Sequence, residues 1–220
     1  MNPHQRLIMQ EGWRALEDAG IDPKALADSR TGVYIGCEPS AYVHDTFTGA
    51  SDAIVASRLS YFLNLKGPAF VVNTGCSSSG VALHLACESL RNGDCDLALS
   101  GGAFAVMGET ILVGLAQTDM LSHSGRCLSF DAAADGMAMS EGVGMVTLKR
   151  LSDALADNDP IYGVIRASGL NQDGASNGIT APSGAAQSAL IEDVYRRFAI
   201  DPERISYVET HGTGTKLGDP

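Results

Sequence analysis

One stretch of the sequence constrains the fold more than any other. An apolar run ends at Val72 and is followed by Asn-Thr-Gly, a cysteine, three serines and a helix-forming segment through Leu90. This order predicts a strand, a sharp turn and a helix, with Cys76 at the turn, since serines favour the start of a helix. The N-terminus of a helix carries partial positive charge and unpaired N–H groups, which favour a thiolate and can stabilise an oxyanion. Cys76 is therefore a candidate nucleophile, and the alternative at this point is a buried, inert cysteine.

Strand-like and helical patterns alternate along the rest of the chain, which predicts a layered α/β architecture. Strands are expected at 33–37, 96–100, 143–148, 161–167 and 205–208, and helices at 3–20, 52–63, 109–119, 152–157 and 183–198. The expected buried faces are Met9, Trp13 and Leu16, then Val55, Leu59 and Phe62, and then Leu190, Val194 and Phe198. The helix after Cys76 is apolar nearly all round, so we expect it to be central and buried.

Composition narrows the classes of function. The formal net charge of −11 argues against a general basic surface for nucleic acid. Five cysteines without a C-x-x-C pair predict a reducing cytoplasm, no disulfide framework and no metal site. No apolar run is long enough to span a bilayer, and the N-terminus lacks the pattern of a signal peptide. We therefore expect a cytoplasmic enzyme that binds neither nucleic acid nor a membrane.

A second glycine-rich stretch, E-T-H-G-T-G-T-K-L-G-D-P, occupies residues 209–220. Its glycine spacing is not that of the dinucleotide fingerprint, and no Gly-Lys-Ser or Gly-Lys-Thr closes a phosphate loop. His211 follows a predicted strand, as Cys76 does, and ligands gather at the carboxyl ends of strands in open α/β sheets. Cys76 and His211 could therefore meet in space, and the alternative is a solvated loop histidine. The other histidines (4, 44, 84 and 123) lie in no such motif, although the sequence alone does not exclude His123 from the pocket.

Both stretches resemble motifs of β-ketoacyl synthases, specifically the ketosynthase domains of modular polyketide synthases. The segment N-T-G-C-S-S-S-G is similar to D-T-A-C-S-S-S-L, from which it departs at Asn73, Gly75 and Gly80. The C-terminal stretch is similar to E-A-H-G-T-G-T-x-L-G-D-P, with Thr210 in place of the alanine. N-P-H-Q-R-L near the N-terminus and F-D-A-A-A-D-G followed by E-G-V-G resemble further family segments, so the resemblance covers essentially the whole chain.

The resemblance implies the thiolase fold, an α/β/α/β/α sandwich, and a decarboxylating Claisen condensation. Cys76 would take an acyl chain from an acyl carrier protein. His211, with a second histidine, would stabilise the enolate that a malonyl-type extender forms when it loses carbon dioxide. Thr213 and Thr215 match threonines that hydrogen-bond the phosphopantetheine arm of the carrier, so no cofactor of the chain's own is expected. A homodimer formed partly through the strand at 96–100 is also implied.

Matched against the family, residues 1–220 would be about the first half of a ketosynthase domain, without its opening strand and most of its C-terminal half. Such a piece alone is expected to be inactive and poorly folded. A fatty-acid β-ketoacyl synthase and a non-elongating domain that only passes acyl chains remain open as alternatives. A cysteine hydrolase is disfavoured, because neither C-G-S-C-W nor Q-A-C-R-G occurs.

Overall fold

The computed structural model describes residues 1–42 and 45–219. The predicted loop position of His44 lies outside the described residues. The chain divides into two compact units. The first consists of Met1–Gly108 and Glu141–Val164, and the second of Glu109–Ser140 and Ile165–Pro220.

The first unit is built on a four-stranded sheet with the strand order β2-β1-β3-β4. The strands are β1 (Thr31–Gly36), β2 (Ala69–Val72), β3 (Leu97–Phe104) and β4 (Gly142–Lys149). β1 pairs in parallel with β2 and with β3, whereas β3 and β4 are antiparallel. Helical connections link the parallel strands, as such pairs require. The predicted α/β class is therefore confirmed.

Helices cover both faces of this sheet. Among the described residues the α-helices are α1 (Pro3–Asp18), α2 (Phe47–Ala50), α3 (Ile54–Leu63), α4 (Ser78–Asn92), α5 (Thr110–Ala116), α6 (Leu151–Ala156) and α7 (Gly184–Phe198). Short 3₁₀ helices lie at Pro23–Leu26 and Pro202–Arg204. None of the helices in the described part of the chain combines the length and apolar character needed to cross a membrane.

The core follows from the alternation of side chains along β1. Val33 and Ile35 pack into a cluster with α1 and α3, while Tyr34 between them packs against α4 on the opposite face. All three side chains are fully buried. A strand that is buried on both faces reads as a continuous apolar run, which is why this segment could be recognised from the sequence.

The buried face of α1 differs from the predicted one. Leu16 is buried as expected, but Met9 and Trp13 are only partly buried, and the buried line runs through Ile8 and Gly12 instead. A Cβ atom on Gly12 would lie 2.6 Å from Leu59 Cδ2, so α1 approaches α3 closely at this glycine. The periodicity of large side chains could not reveal this contact, because the contact depends on a residue that has no side chain.

The prediction for α3 was also wrong at one position. Val55 and Leu59 are buried as expected, but Phe62 is 57% exposed and Leu63 is buried in its place. The ring of Phe62 instead lies beside that of Trp13, with 6.2 Å between the ring centroids. The helix after Cys76 departs from its prediction as well, because α4 buries one face through residues such as Ala82 and Ala86 and leaves its other face partly exposed.

β3 extends beyond its predicted end at Ser100 and runs through Gly101 and Gly102 to Phe104. These glycines are sites of close packing rather than a turn. A Cβ atom on Gly101 would lie 2.1 Å from the carbonyl oxygen of Gly144, and one on Gly102 would lie 2.9 Å from Ser79 Cβ at the start of α4. β3 is also paired along both edges, by β1 and by β4. Both edges of β3 are thus occupied within the chain, and the homodimer expected to form partly through 96–100 stays a prediction.

Two predicted strands do not form. The described residues at 161–167 and 205–208 lie in irregular segments. Val164 and Val208 are 48% and 68% exposed, and no neighbouring strand among the described residues pairs with either segment. A strand needs a partner for its backbone N–H and C=O groups, and the apolar pattern of a single segment carries no information about that partner.

In the second unit α7 forms as predicted. Ser183 caps it by accepting the N–H of Ala186 at 3.2 Å. The predicted face packs against the chain at Gly169, where an added Cβ atom would lie 2.5 Å from Val194 and 3.2 Å from Leu190. This face is only partly buried, however, because none of the described residues of α7 is fully buried. α5 also lies where a helix was expected. The segments 123–141 and 171–182 are loops as predicted, and β4 begins at Gly142, the last residue of the first predicted loop.

Candidate active site

Cys76 lies at the turn between β2 and α4, as predicted, and its side chain is exposed. The turn is held by its own side chains. Asn73 Oδ1 accepts the N–H of Gly75 at 3.0 Å, and Gly75 has a φ of 65°, a left-handed conformation that favours glycine. Ser78 Oγ accepts the N–H of Thr74 at 2.9 Å and donates to the carbonyl of Gly75 at 2.6 Å. Asn73 and Gly75 therefore stabilise the same turn, one by its side-chain hydrogen bond and the other by its left-handed backbone.

The start of α4 rests on the sheet at two glycines. A Cβ atom on Gly36 would lie 2.3 Å from the carbonyl carbon of Ser78, and one on Gly102 would lie 2.9 Å from Cβ of Ser79. Backbone packing at this distance is possible only without side chains on β1 and β3. The first turn of α4, and with it the position of Cys76, is therefore fixed by the two central strands.

The serines after Cys76 do not cap α4 in the way expected from the sequence. Ser77 is the N-cap residue, but among the described residues no side chain makes a capping hydrogen bond there. The Ser77 hydroxyl donates instead to the carbonyl of Thr74 at 2.9 Å, within the turn. The N–H of Ser78 donates to the carbonyl of Gly75 at 3.1 Å, and no described side chain caps the other N–H groups of the first turn. Those other N–H groups are suited to stabilise negative charge beside Cys76.

The five cysteines fall into two classes, and all are free thiols. Cys76 and Cys127 are exposed, whereas Cys37, Cys87 and Cys95 are buried. Burial, with a further contribution from the charge of Asp52, raises the pKa of Cys37 to about 12. Burial also raises the pKa of Cys87 and of Cys95 above the usual range of a thiol. These three thiols are therefore protonated and inert at neutral pH.

We expect iodoacetamide to alkylate Cys76 and Cys127 in the native protein at about pH 8 and to leave Cys37 unmodified, because the thiolate is the reactive form. A time course read by peptide mass spectrometry measures the rate at each cysteine. Since the raised pKa keeps Cys37 protonated until the pH approaches that value, its rate should stay low throughout the neutral range. Unfolding in guanidinium is the control, and all five cysteines should then react. Alkylation of Cys37 at the rate of Cys76 in the native protein would contradict this account.

His211 lies in the second unit, on an exposed loop that no strand precedes. The residue after it, Gly212, has a φ of 50°, and its carbonyl accepts a hydrogen bond from the hydroxyl of Ser129. The thiol of Cys127 approaches the same carbonyl at 3.5 Å. The backbone beside His211 is therefore anchored to a segment more than 80 residues earlier in the chain.

The two candidate threonines are neighbours in this loop. Their hydroxyl oxygens, Thr213 Oγ1 and Thr215 Oγ1, are 3.0 Å apart, and both residues are half-buried. Thr215 Oγ1 also accepts the N–H of Gly218 at 3.1 Å. Between them lies Gly214, which is buried and has a φ of 69°. The pair presents two adjacent hydroxyls, an arrangement that suits a ligand with amide or hydroxyl groups.

Sequence reasoning missed the residues that hold this loop in place. Ser129 binds the Gly212 carbonyl, Asp219 accepts the N–H groups of Gly214 and Phe130, and the N–H of Gly136 donates to the Gly214 carbonyl at 3.0 Å. Asp219 belonged to the recognised motif but carried no predicted role. Nothing in the local sequence around Ser129 signals a contact so distant along the chain.

The candidate residues are divided between the two units. Cys76 belongs to the first, and His211, Thr213 and Thr215 belong to the second. The expectation that Cys76 and His211 meet in space therefore stays a prediction. His4 is part of the scaffold, since it is buried at the start of α1 and its Nε2 accepts the N–H of Ala105 at 3.1 Å. Burial lowers the pKa of His4, so this histidine is neutral at neutral pH.

Two family models match the chain. The β-ketoacyl synthase N-terminal domain matches residues 1–154, and the β-ketoacyl synthase C-terminal domain matches residues 162–220. The second match begins close to Val164, where the first unit ends.

Curated relatives match over the whole of this chain. Polyketide synthase ThaG of Burkholderia thailandensis is 48% identical over 225 residues, and polyketide synthase PksL of Bacillus subtilis is 48% identical over 227 residues. The chain corresponds to only 4% and 5% of the length of these two proteins.

Solved structures give the same result. The ketosynthase from module 6 of the bacillaene synthase of Bacillus subtilis superimposes with a TM-score of 0.95 at 48% identity, over 100% of this chain and 39% of that one. The oxazolomycin ketosynthase domain OzmH KS7 of Streptomyces albus gives a TM-score of 0.94 at 40% identity, over 99% of this chain and 39% of that one.

Proposed function

The chain belongs to the β-ketoacyl synthase family, and from this premise we propose that it carries out the condensation step of polyketide assembly as a ketosynthase. The observation that carries the proposal is the exposed Cys76 at the junction of β2 and α4. Of the two exposed cysteines, Cys76 lies beside the start of a long helix. The other exposed one, Cys127, lies on a loop.

In the first half-reaction the thiolate of Cys76 attacks the carbonyl carbon of an acyl thioester on an acyl carrier protein. A bond forms between this carbon and Cys76 Sγ, the C–S bond to the carrier's arm breaks, and the arm leaves as its thiolate. Negative charge develops on the carbonyl oxygen during the attack, and N–H groups at the start of α4 stabilise it. Covalent capture divides one difficult transfer into two easier steps.

In the second half-reaction a malonyl-type extender on a carrier protein loses carbon dioxide. The electron pair of the broken C–C bond forms an enolate, whose oxygen His211 stabilises. The enolate carbon then attacks the Cys76 thioester, which expels the cysteine thiolate and leaves a β-ketoacyl chain on the carrier. Stabilising donors act most strongly where charge develops, and here this is the enolate oxygen.

Thr213 and Thr215 bind the phosphopantetheine arm that brings each thioester to the site. Their adjacent half-buried hydroxyls support this role, because the arm contains amide groups that can pair with them. The arm belongs to the carrier protein, so the chain needs no cofactor of its own. The resemblance further supports a homodimer, and the free thiols are in line with a cytoplasmic location.

Incubating the intact protein with an acyl carrier thioester and a malonyl carrier thioester tests this proposal. Mass spectrometry of the carrier should show a β-ketoacyl chain, with one carbon dioxide released for each product formed. Cys76 acylation without decarboxylation would identify a non-elongating domain, and activity confined to short saturated chains would favour the fatty-acid synthase. Release of free acid alone would identify a hydrolase and overturn the proposal.

A further inference from the structure

One carboxylate in the second unit connects two loops. Asp219 Oδ2 accepts the N–H of Phe130 at 2.7 Å and that of Gly214 at 3.2 Å, while Oδ1 accepts the N–H of Gly214 at 3.1 Å. The hydroxyl of Thr213 approaches Oδ1 at 3.5 Å. Asp219 thus holds the backbone of the threonine pair on one side and the loop of Phe130 on the other.

The geometry of the loop depends on these contacts. Gly212, Gly214 and Phe130 all have positive φ angles, of 50°, 69° and 60°. For a residue with a side chain, such as Phe130, this conformation is unfavourable unless the surroundings hold it. The N–H of Phe130 donates to Asp219, which supplies that support.

An ionised carboxylate suits this position better than an amide. Its neighbours are all donors: two backbone N–H groups and one hydroxyl. A carboxylate offers only acceptors, and hydrogen bonds to a charged acceptor are stronger than neutral ones. In asparagine one of the two positions would be an NH₂ group that faces a backbone N–H.

We propose that Asp219 is a positioning residue for recognition of the carrier's arm. It acts by holding Gly214 and Thr213 in place. This inference rests on the proposed function, because it takes Thr213 and Thr215 as the groups that bind phosphopantetheine. Asp219 itself need not touch the substrate. Its removal should therefore impair the use of substrates that carry the arm and leave the chemistry at Cys76 unaffected.

Rates of Cys76 acylation in the intact protein, measured over a range of substrate concentrations, test this with two thioesters of the same acyl group. One is the pantetheine thioester and the other is the S-ethyl thioester, which has no arm. Here kcat is the maximal rate constant of acylation and KM is the concentration that gives half of it. For Asp219→Asn we expect the KM of the pantetheine thioester to rise about tenfold. A rise of this size corresponds to the loss of roughly one charge-assisted hydrogen bond. The kcat and the KM of the ethyl thioester should stay within about twofold of the wild type.

A double-mutant cycle separates positioning from a general loss of structure. Thr213→Val removes one hydroxyl of the arm site and leaves Asp219 in place. If Asp219 acts through Thr213 and its neighbour, the double variant should lose less than the product of the two single losses. Asp201→Asn is the matched control. Asp201 also accepts a backbone N–H, that of Glu203 at 3.0 Å, but it caps the 3₁₀ helix at Pro202–Arg204 instead.

The outcomes distinguish the inference from its premise. A wild-type protein that acylates Cys76 with neither thioester would overturn the proposed function. Wild-type acylation with an unchanged KM in Asp219→Asn would overturn the inference alone. Equal losses with the pantetheine and ethyl thioesters, or strictly multiplicative losses in the cycle, would show that Asp219 only maintains the fold and would likewise overturn it.

Discussion

The Cys76→Ala variant is expected to lose both acylation and condensation, with a fall in product formation of at least about a thousandfold. The reason is that the variant has no atom to carry the acyl chain between the two half-reactions. The helix start should be unaffected, because the turn is held by Asn73 and Ser78 rather than by the cysteine. Product formation by the intact protein, measured by mass spectrometry of the carrier, gives the size of the loss.

Cys87→Ala is the matched control for this experiment. Cys87 lies on α4, the helix that begins just after Cys76. Unlike Cys76 it is buried, and burial raises the pKa of its thiol. This variant should retain acylation and condensation at close to wild-type rates. If condensation survives in Cys76→Ala and is lost in Cys87→Ala, the nucleophile has been misassigned.

His211→Ala is expected to separate the two half-reactions. Acylation of Cys76 should continue, because that step needs the thiolate and the donors at the start of α4. Condensation should fall by on the order of a hundredfold or more, because the enolate forms only in the second half-reaction. Quantifying acyl-enzyme and carbon dioxide in the same sample measures both steps.

His123→Ala provides the comparison for His211. His123 is also a loop histidine of the second unit, and in the structure it is exposed, with its backbone N–H donating to Asp135 at 3.2 Å. Its replacement should leave both half-reactions intact. Loss of acylation with decarboxylation retained in His211→Ala would reverse the role assigned here, and loss of condensation in His123→Ala would move that role to the other histidine.

The sequence was sufficient for those parts of the fold whose cause is local. The strand, turn and helix around Cys76 were predictable because apolar periodicity, glycine and serine act within a few residues of one another. The thiolase-like α/β class is confirmed, as is the resemblance to polyketide ketosynthases. Both rested on patterns that two separated stretches share with one family.

What could not be predicted depends on contacts between distant segments. The strand predicted at 96–100 continues through Gly101 and Gly102, because these two glycines, a residue type that usually marks turns, allow Gly144 and Ser79 to approach. The strands expected at 161–167 and 205–208 do not form, because an apolar run does not specify the partner strand that its backbone groups need.

The anchoring of the candidate loop illustrates the same limit. The hydroxyl of Ser129 reaches the carbonyl of Gly212 across 83 positions of the chain, and Asp219 binds the N–H of Phe130 across 89. Neither residue type is unusual in its local context, so only the folded chain identifies them. The site residues themselves, Cys76, His211, Thr213 and Thr215, were found from motifs, and their catalytic and binding roles remain predictions.

The central claim is that Cys76 carries the acyl chain, and peptide mapping of the acylated protein tests it most directly. The intact protein is incubated with an acyl pantetheine thioester without extender, digested at acidic pH to preserve thioesters, and analysed by tandem mass spectrometry. The account predicts a single acyl group on the peptide that contains Cys76 and its loss when a malonyl carrier thioester is then added. An acyl group on Cys127 or on a buried cysteine, with Cys76 unmodified, would contradict it.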